Sequence, residues 1–253
     1  MARYQIILAY DGTGFLGSQR QAGSRTVQFE LEKSLRKIGW QGKSILLAGR
    51  TDTGTHASGQ VAAFDLDWGH GLNKLQDALN CHLPEDMAIR DVKTAAEDFH
   101  PRFDAVSRRY RYRLFCSRVR DPLRERYAWR VWPPISDLAP LAAAWVGTHD
   151  FALFGSPLRA GGSTVRTVHS AEWLRLEDEW IFQIEANAFL YRMVRKLVYV
   201  QVSVGQGRLA AEVLARALDD DPAVRQAIRP EIPVGLAPAC GLALMEVRYD
   251  NLV

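Results

Sequence analysis

Residues 48–65 read AGRTDTGTHASGQVAAFD, a polar segment held between two apolar runs, residues 45–48 and 61–64. Gly49, Gly54 and Gly59 punctuate it, and the flanking runs favour strands, so the pattern is strand, loop, strand with Asp52 on the loop. Arg50 stands two positions before this carboxylate, and Thr51 and Thr53 flank it. A nearby cation and hydroxyl donors favour the charged carboxylate against the opposing push of desolvation. An ionised, positioned carboxylate is a candidate nucleophile. The plain alternative is an Asx-turn aspartate paired with a neighbouring arginine.

Working outward, Arg3 to Tyr10 has the character of a strand, and residues 11–23 are polar and glycine-rich. Gly12, Gly14 and Gly17 spell G-x-G-x-x-G, but a dinucleotide site needs a helix opening inside that motif and an acidic residue about 20 positions on. The helical spacing starts only near Thr26 and stops at Gly39, and no acid occurs between Glu32 and Asp52. Residues 72–81 read as a second amphipathic helix and 87–94 as a strand. The order β-α-β-β-α-β through residue 94 is the split βαβ, or ferredoxin-like, pattern.

Phe99, His100, Pro101 and Arg102 break the periodicity and set a boundary near residue 105. The second half, 106–253, opens with a strand at 107–116 and continues with a helix over 137–146 and a hairpin of 164–176 with 180–185. A long helix over 188–204 capped by Asn187, a shorter one over 210–218 and a strand at 242–249 complete it. The same order recurs with insertions. The expected class is α+β: two ferredoxin-like halves, 1–105 and 106–253, sharing a mixed, mainly antiparallel sheet with a cleft between them as the natural site. The insert 155–167, GSPLRAGGSTVRT, reads either as a surface loop or as a mobile arm carrying Arg159 and Arg166.

The chain has 253 residues, 47% of them hydrophobic, enough for a sizeable core. No apolar run approaches a membrane-spanning length and the start lacks signal-peptide flanks, so a cytoplasmic protein without membrane attachment is expected. Cys81, Cys116 and Cys240 are dispersed and fit no metal spacing, which points to reduced thiols. His56 and His100 have no carboxylate or second histidine at ligand spacing, so no metal centre is expected. Net charge is only +3, but arginines cluster at 108–113, 118–130 and 192–195, and planar guanidinium groups suit phosphate contacts and stacking on bases. On an extended strand, SRRYRYRLF places Arg108, Tyr110, Tyr112 and Leu114 on one face and Arg109, Arg111 and Arg113 on the other. In NAFLYRMVRKLVYV, Leu190, Met193, Val194, Leu197 and Val198 form an apolar stripe with Arg192, Arg195 and Lys196 beside it.

Four stretches carry a resemblance. GRTDTGTHASGQVAAFD is similar to the signature GRTDAGVHA.GQV..F of the tRNA pseudouridine synthase A family. YDGTGFLGSQRQAGSRTVQ resembles that family's first motif, YDG..F.GWQ.Q...RTVQ, with Ser18 in place of the usual Trp. RRYRY and NAF...MVR resemble its second and third motifs, in the family's order. The resemblance implies the pseudouridine synthase fold and isomerisation of uridine to pseudouridine at positions 38, 39 and 40 of the tRNA anticodon arm, without a cofactor. It further implies a homodimer, Asp52 as nucleophile, Tyr110 against the flipped base and Arg195 paired with the carboxylate. Arg50 would bind phosphate or fill the space left by the extruded base, with Arg108 and Arg166 as further substrate contacts. Two rival readings stay open on the residues alone. D-T-G-T at Asp52 faintly resembles phospho-aspartate enzymes, although nothing downstream matches their metal-binding carboxylates. Split βαβ folds also serve as noncatalytic RNA-binding modules.

Overall fold

The structure, a computed structural model, describes residues 1–250. Along Ala2–Tyr10 (β1), Tyr4, Ile6, Leu8 and Tyr10 alternate inward, the period of a half-buried strand. Thr26 caps Val27–Lys37 (α1) by accepting the Phe29 N–H at 3.3 Å, which satisfies one of the free donors of a helix start. Val27, Leu31 and Leu35 make its buried stripe. There follow Leu46–Leu47 (β2), His56–Leu66 (β3), Leu72–His82 (α2) and Met87–Ala95 (β4). Beyond them lie Ala105–Cys116 (β5), Trp129–Val131 (β6), Ala139–Ala142 (α3), Gly147–Asp150 (β7), Val165–Leu176 (β8) and Glu179–Ala186 (β9). Met193–Gly205 (α4), Glu212–Ala217 (α5), Pro222–Ile228 (α6) and Leu242–Tyr249 (β10) complete the α+β fold. Among the described residues no helix is long and apolar enough to cross a membrane.

The chain divides into two compact units, residues 1–106 joined by the chain from Ala243 onward, and Ser107–Leu242. In the first unit β1 lies between β4 and β3, antiparallel to both. The remaining edge of β3 is shared: β2 pairs antiparallel at Ala62 and Ala63, and β10 pairs parallel at His56 and Ala57. That sharing accounts for the two-residue length of β2. It also moves residues 243–249, read from sequence as the end of the second half, into the first unit. Gly59 permits the approach of β10, since a Cβ there would stand 2.2 Å from the Met245 carbonyl oxygen. The register of β4 slips between Ile89 and Asp91. A bulge leaves ladder groups without partners, and Asn80 of α2 supplies them, its Oδ1 accepting the Ile89 N–H at 2.7 Å and its Nδ2 donating to the Ile89 carbonyl at 2.9 Å.

In the second unit β5, β9, β8 and β7 are consecutive antiparallel neighbours, with β6 parallel to β5. Tyr112, Leu114, Trp173, Phe182 and Ile184 fill its core with Leu197, Val198 and Val202 of α4. The Trp173 indole N–H donates to Gln201 Oε1 at 2.8 Å, satisfying two polar groups that would be costly to bury alone.

Three expectations change here. The long helix begins at Met193, not 188, because the backbone of 187–191 is engaged elsewhere: Asn187 N–H donates to the Thr167 carbonyl, and Tyr191 exchanges bonds with Ser156. The helix expected over 137–146 is one turn, tightening to a 3-10 turn over Ala143–Trp145 where Trp145 packs edge-on to Phe154. Arg166 and Thr167 lie in β8 opposite His149 and Thr148 of β7, so they belong to the sheet and not to a free arm.

Candidate active site

Asp52 lies on residues 49–55, between β2 and β3, and its neighbours are pinned on every side. The Thr51 N–H donates to Ser18 Oγ at 2.8 Å and the Ser18 N–H donates to the Thr51 carbonyl at 3.1 Å. Thr51 Oγ1 and the Tyr10 hydroxyl are 2.9 Å apart. Gln60 Nε2 donates to the Gly49 carbonyl at 2.9 Å, Gly54 N–H to Phe15 at 3.3 Å, and Thr55 N–H to the Asp52 carbonyl at 3.1 Å. Thr51 and Thr55 are buried, as are Ser18 and Gln60, whereas Asp52 is half-buried and Arg50 exposed. A rigid frame thus presents one partly accessible carboxylate. Burial pushes the Tyr10 phenol up to about 12, against the lowering effect of its bonds to Thr51 and Gln60, so it stays protonated in the neutral range and serves the frame as a neutral group.

Two of the G-x-G-x-x-G glycines serve the same frame. Residues Gly12–Gly14 form a 3-10 turn, and no α-helix opens there. Gly12 lies against the loop so closely that a Cβ would stand 2.0 Å from the Thr55 carbonyl oxygen, and Gly17, at φ +86°, would place one 3.0 Å from the Thr51 carbonyl oxygen. His56, discounted above as a metal ligand, also belongs to this frame. Its Nδ1 lies 3.0 Å from the Gly12 N–H nitrogen and 3.2 Å from Asp11 Oδ1. Ser18, the departure from the resembled motif, is fully buried and supplies a hydroxyl acceptor that an indole ring N–H cannot supply. These partners escaped the sequence reading; the only signal for them was polar residues at positions where a strand or glycine turn should be buried.

The other candidates lie in the second unit. Tyr110 on β5 is buried, opposite Ile184, with the ring of Phe189 edge-on at 5.0 Å. Arg108 Nη1 donates to the Asn187 carbonyl at 2.8 Å. Asn187 Oδ1 in turn accepts the Thr167 N–H at 3.1 Å, next to Arg166. The segment 187–189 therefore joins Arg108, Tyr110 and Thr167, and Asn187 is a hub instead of a helix cap. Arg166 Nη1 donates to the Ser163 and Val165 carbonyls, while its Nε is buried without a partner. Burial lowers its pKa from the ordinary arginine value. Arg195 is half-buried in the first turns of α4, its Nε donating to the Ala237 carbonyl at 2.7 Å, and its charge acts on the Tyr112 hydroxyl and the Cys240 thiol. The opposite face of β5 is less basic than its sequence suggests: Arg109 pairs with Glu185 at 3.2 Å and Arg113 with Glu179 at 2.8 Å. Arg111 between them has no hydrogen-bond partner at its buried Nε, and burial, then Arg113, lowers its pKa.

A family model described as tRNA pseudouridine synthase matches residues 6–104 and 141–250, a span that holds the Asp52 loop and Arg195. The chain belongs to the tRNA pseudouridine synthase family. This tRNA pseudouridine synthase is 39% identical over 258 residues to a tRNA pseudouridine synthase A of Limosilactobacillus fermentum, covering 99% of this chain and 97% of the relative. It is 40% identical over 260 residues to one of Chloroflexus aurantiacus, covering 98% and 89%. A chain in a crystal structure of a Cbf5-Nop10-Gar1 complex superposes with a TM-score of 0.39 at 11% identity, over 96% of this chain and 48% of that one, a likeness too distant to bear on the site. The enzyme is thus an isomerase that converts uridine to pseudouridine in tRNA, and neither the phospho-aspartate reading nor the noncatalytic binding module stands.

Proposed function

We propose that the substrate is the anticodon arm of tRNA, at uridines 38, 39 and 40, and that Asp52 is the nucleophile. In this reaction the N1–C1′ glycosidic bond breaks, the uracil turns, C5 bonds to C1′, and the C5 proton is lost as N1 gains one. Asp52 attacks either C1′ or C6. Tyr110 packs on the flipped base, and Arg195 is the cation that pairs with the Asp52 carboxylate. Arg50 binds phosphate or fills the space left by the base, while Arg108 and Arg166 contact the RNA backbone. A stem uridine has to leave its stack first, at a cost of a few kcal/mol that backbone contacts offset. The protein works without metal or cofactor, as a homodimer, in the cytoplasm.

What carries this reading is the combination at residues 49–55: backbone bonds hold the loop on both flanks, and the half-buried side chain they present is a carboxylate. Pre-organisation of this kind suits a group that must meet a substrate atom without rearranging. The test is tritium release from tRNA labelled at uridine C5. Asp52→Asn keeps tRNA binding and abolishes release; equal release from the variant and the parent enzyme rules the assignment out.

A further inference from the structure

We infer that Ser18 is a positioning residue for the isomerisation, acting through Thr51 on the aim of Asp52; the inference rests on Asp52 being the nucleophile. Ser18 is fully buried and grips Thr51 at two points. Its N–H donates to the Thr51 carbonyl at 3.1 Å, which fixes the peptide plane between Thr51 and Asp52. Its Oγ accepts the Thr51 N–H at 2.8 Å, which fixes the plane between Arg50 and Thr51. Two held planes restrict φ and ψ of Thr51, so the direction in which Asp52 leaves the loop is constrained.

The grip has its own anchor. The Val27 and Gln28 N–H groups, at the start of α1, donate to the Gly17 and Ser18 carbonyls at 3.3 and 2.9 Å, using donors that a helix start leaves free. Gly17 lies so near the loop that a Cβ would stand 3.0 Å from the Thr51 carbonyl oxygen. A continuous chain of bonds therefore runs from α1 through Gly17 and Ser18 to the residue before the carboxylate. The serine hydroxyl is the one side-chain link in it, and a methyl group in its place would leave the Thr51 N–H without an acceptor. The loop would then relax toward another partner and carry Asp52 with it. Displacement of a reacting group by about 1 Å costs on the order of 100-fold in rate.

The experiment compares single-turnover tritium release and tRNA dissociation constants for the parent and Ser18→Ala, Ser18→Cys, Ser18→Thr, Asp52→Asn and Asn80→Ala, with Tm values for each. Ser18→Ala and Ser18→Cys, the second guarding against a folding failure of the first, should release tritium about 10- to 100-fold more slowly while binding tRNA within about twofold of the parent. Ser18→Thr, which keeps the hydroxyl, should recover most of the rate. Asn80→Ala, which loosens the β4 bulge, should lower Tm and leave the rate alone. A parental rate in either folded Ser18 variant, with Asp52→Asn inactive, overturns the inference. So does an equal loss in Asn80→Ala, which would mark the effect as general destabilisation. An active Asp52→Asn would instead overturn the assignment of the nucleophile.

Discussion

The hydroxyl of Tyr10 reaches Thr51 Oγ1 at 2.9 Å and stands 3.5 Å from Gln60 Nε2, so one phenol joins β1, the Asp52 loop and β3. Tyr10→Phe should cost about 1–2 kcal/mol, because the Thr51 hydroxyl is left buried without that partner; a lower Tm by calorimetry checks it. Since the phenol is held near 12, its proton makes no contribution to the pH profile of tritium release in the neutral range, and the acid and alkaline limbs of parent and variant should superpose. At this scale the loop position of Asp52 was legible, through the glycines and the apolar runs on either side of it. Ser18, Tyr10 and Gln60 were not, because each acts across 30 or more positions of chain except Gln60, whose partner Gly49 is hidden by a turn that sequence spacing does not specify.

Elements were legible where local chemistry decides them. Thr26 announces α1 as a cap, and the alternation from Tyr4 to Tyr10 announces β1. The start of α4 was misread because the apolar stripe extends back to Leu190, while the Tyr191–Ser156 bridge and the left-handed Arg192, at φ 64°, hold the preceding residues out of the helix. A pattern records which face is apolar; it does not record that the backbone is spoken for. Between β1 and β3, Arg3 stands opposite Asp65 and meets it with two bonds of 2.8 Å. The Arg3 hydrogen bond holds the Asp65 carboxyl below its ordinary value. A depressed folded pKa contributes stability that is present above the unfolded value, about 3.9, and is lost as pH falls through the folded one. Asp65→Asn should therefore flatten the acid limb of Tm against pH and leave activity unchanged. Asp65 is nearly half exposed, so the contribution at neutral pH should stay below about 1 kcal/mol.

For the whole molecule, charge matters through its arrangement more than its sum. A net charge of +3 understates the arginine content, of which Arg109, Arg113, Arg124 and Arg130 are paired with Glu185, Glu179, Asp178 and Glu125. Arg108 and Arg166 are the proposed contacts to the RNA backbone, and both guanidinium groups bond to carbonyl groups within the protein. Arg108→Ala and Arg166→Ala should each weaken tRNA binding and lower the slope of log affinity against log salt by about 1. Filter binding across a salt series checks this, with an unchanged slope counting against the assignment. Asp52 belongs to the first unit, and Tyr110 and Arg195 to the second.

The parallel pairing of β10 with the first residues of β3 has a consequence for biosynthesis. Every other strand described here leaves the ribosome before β10 does, yet β10 completes the edge of the strand that begins right after Thr55. A polypeptide that stops short of Leu242 therefore lacks the strand that pairs with His56 and Ala57, and this stretch of β3, directly after the Asp52 loop, keeps an open edge.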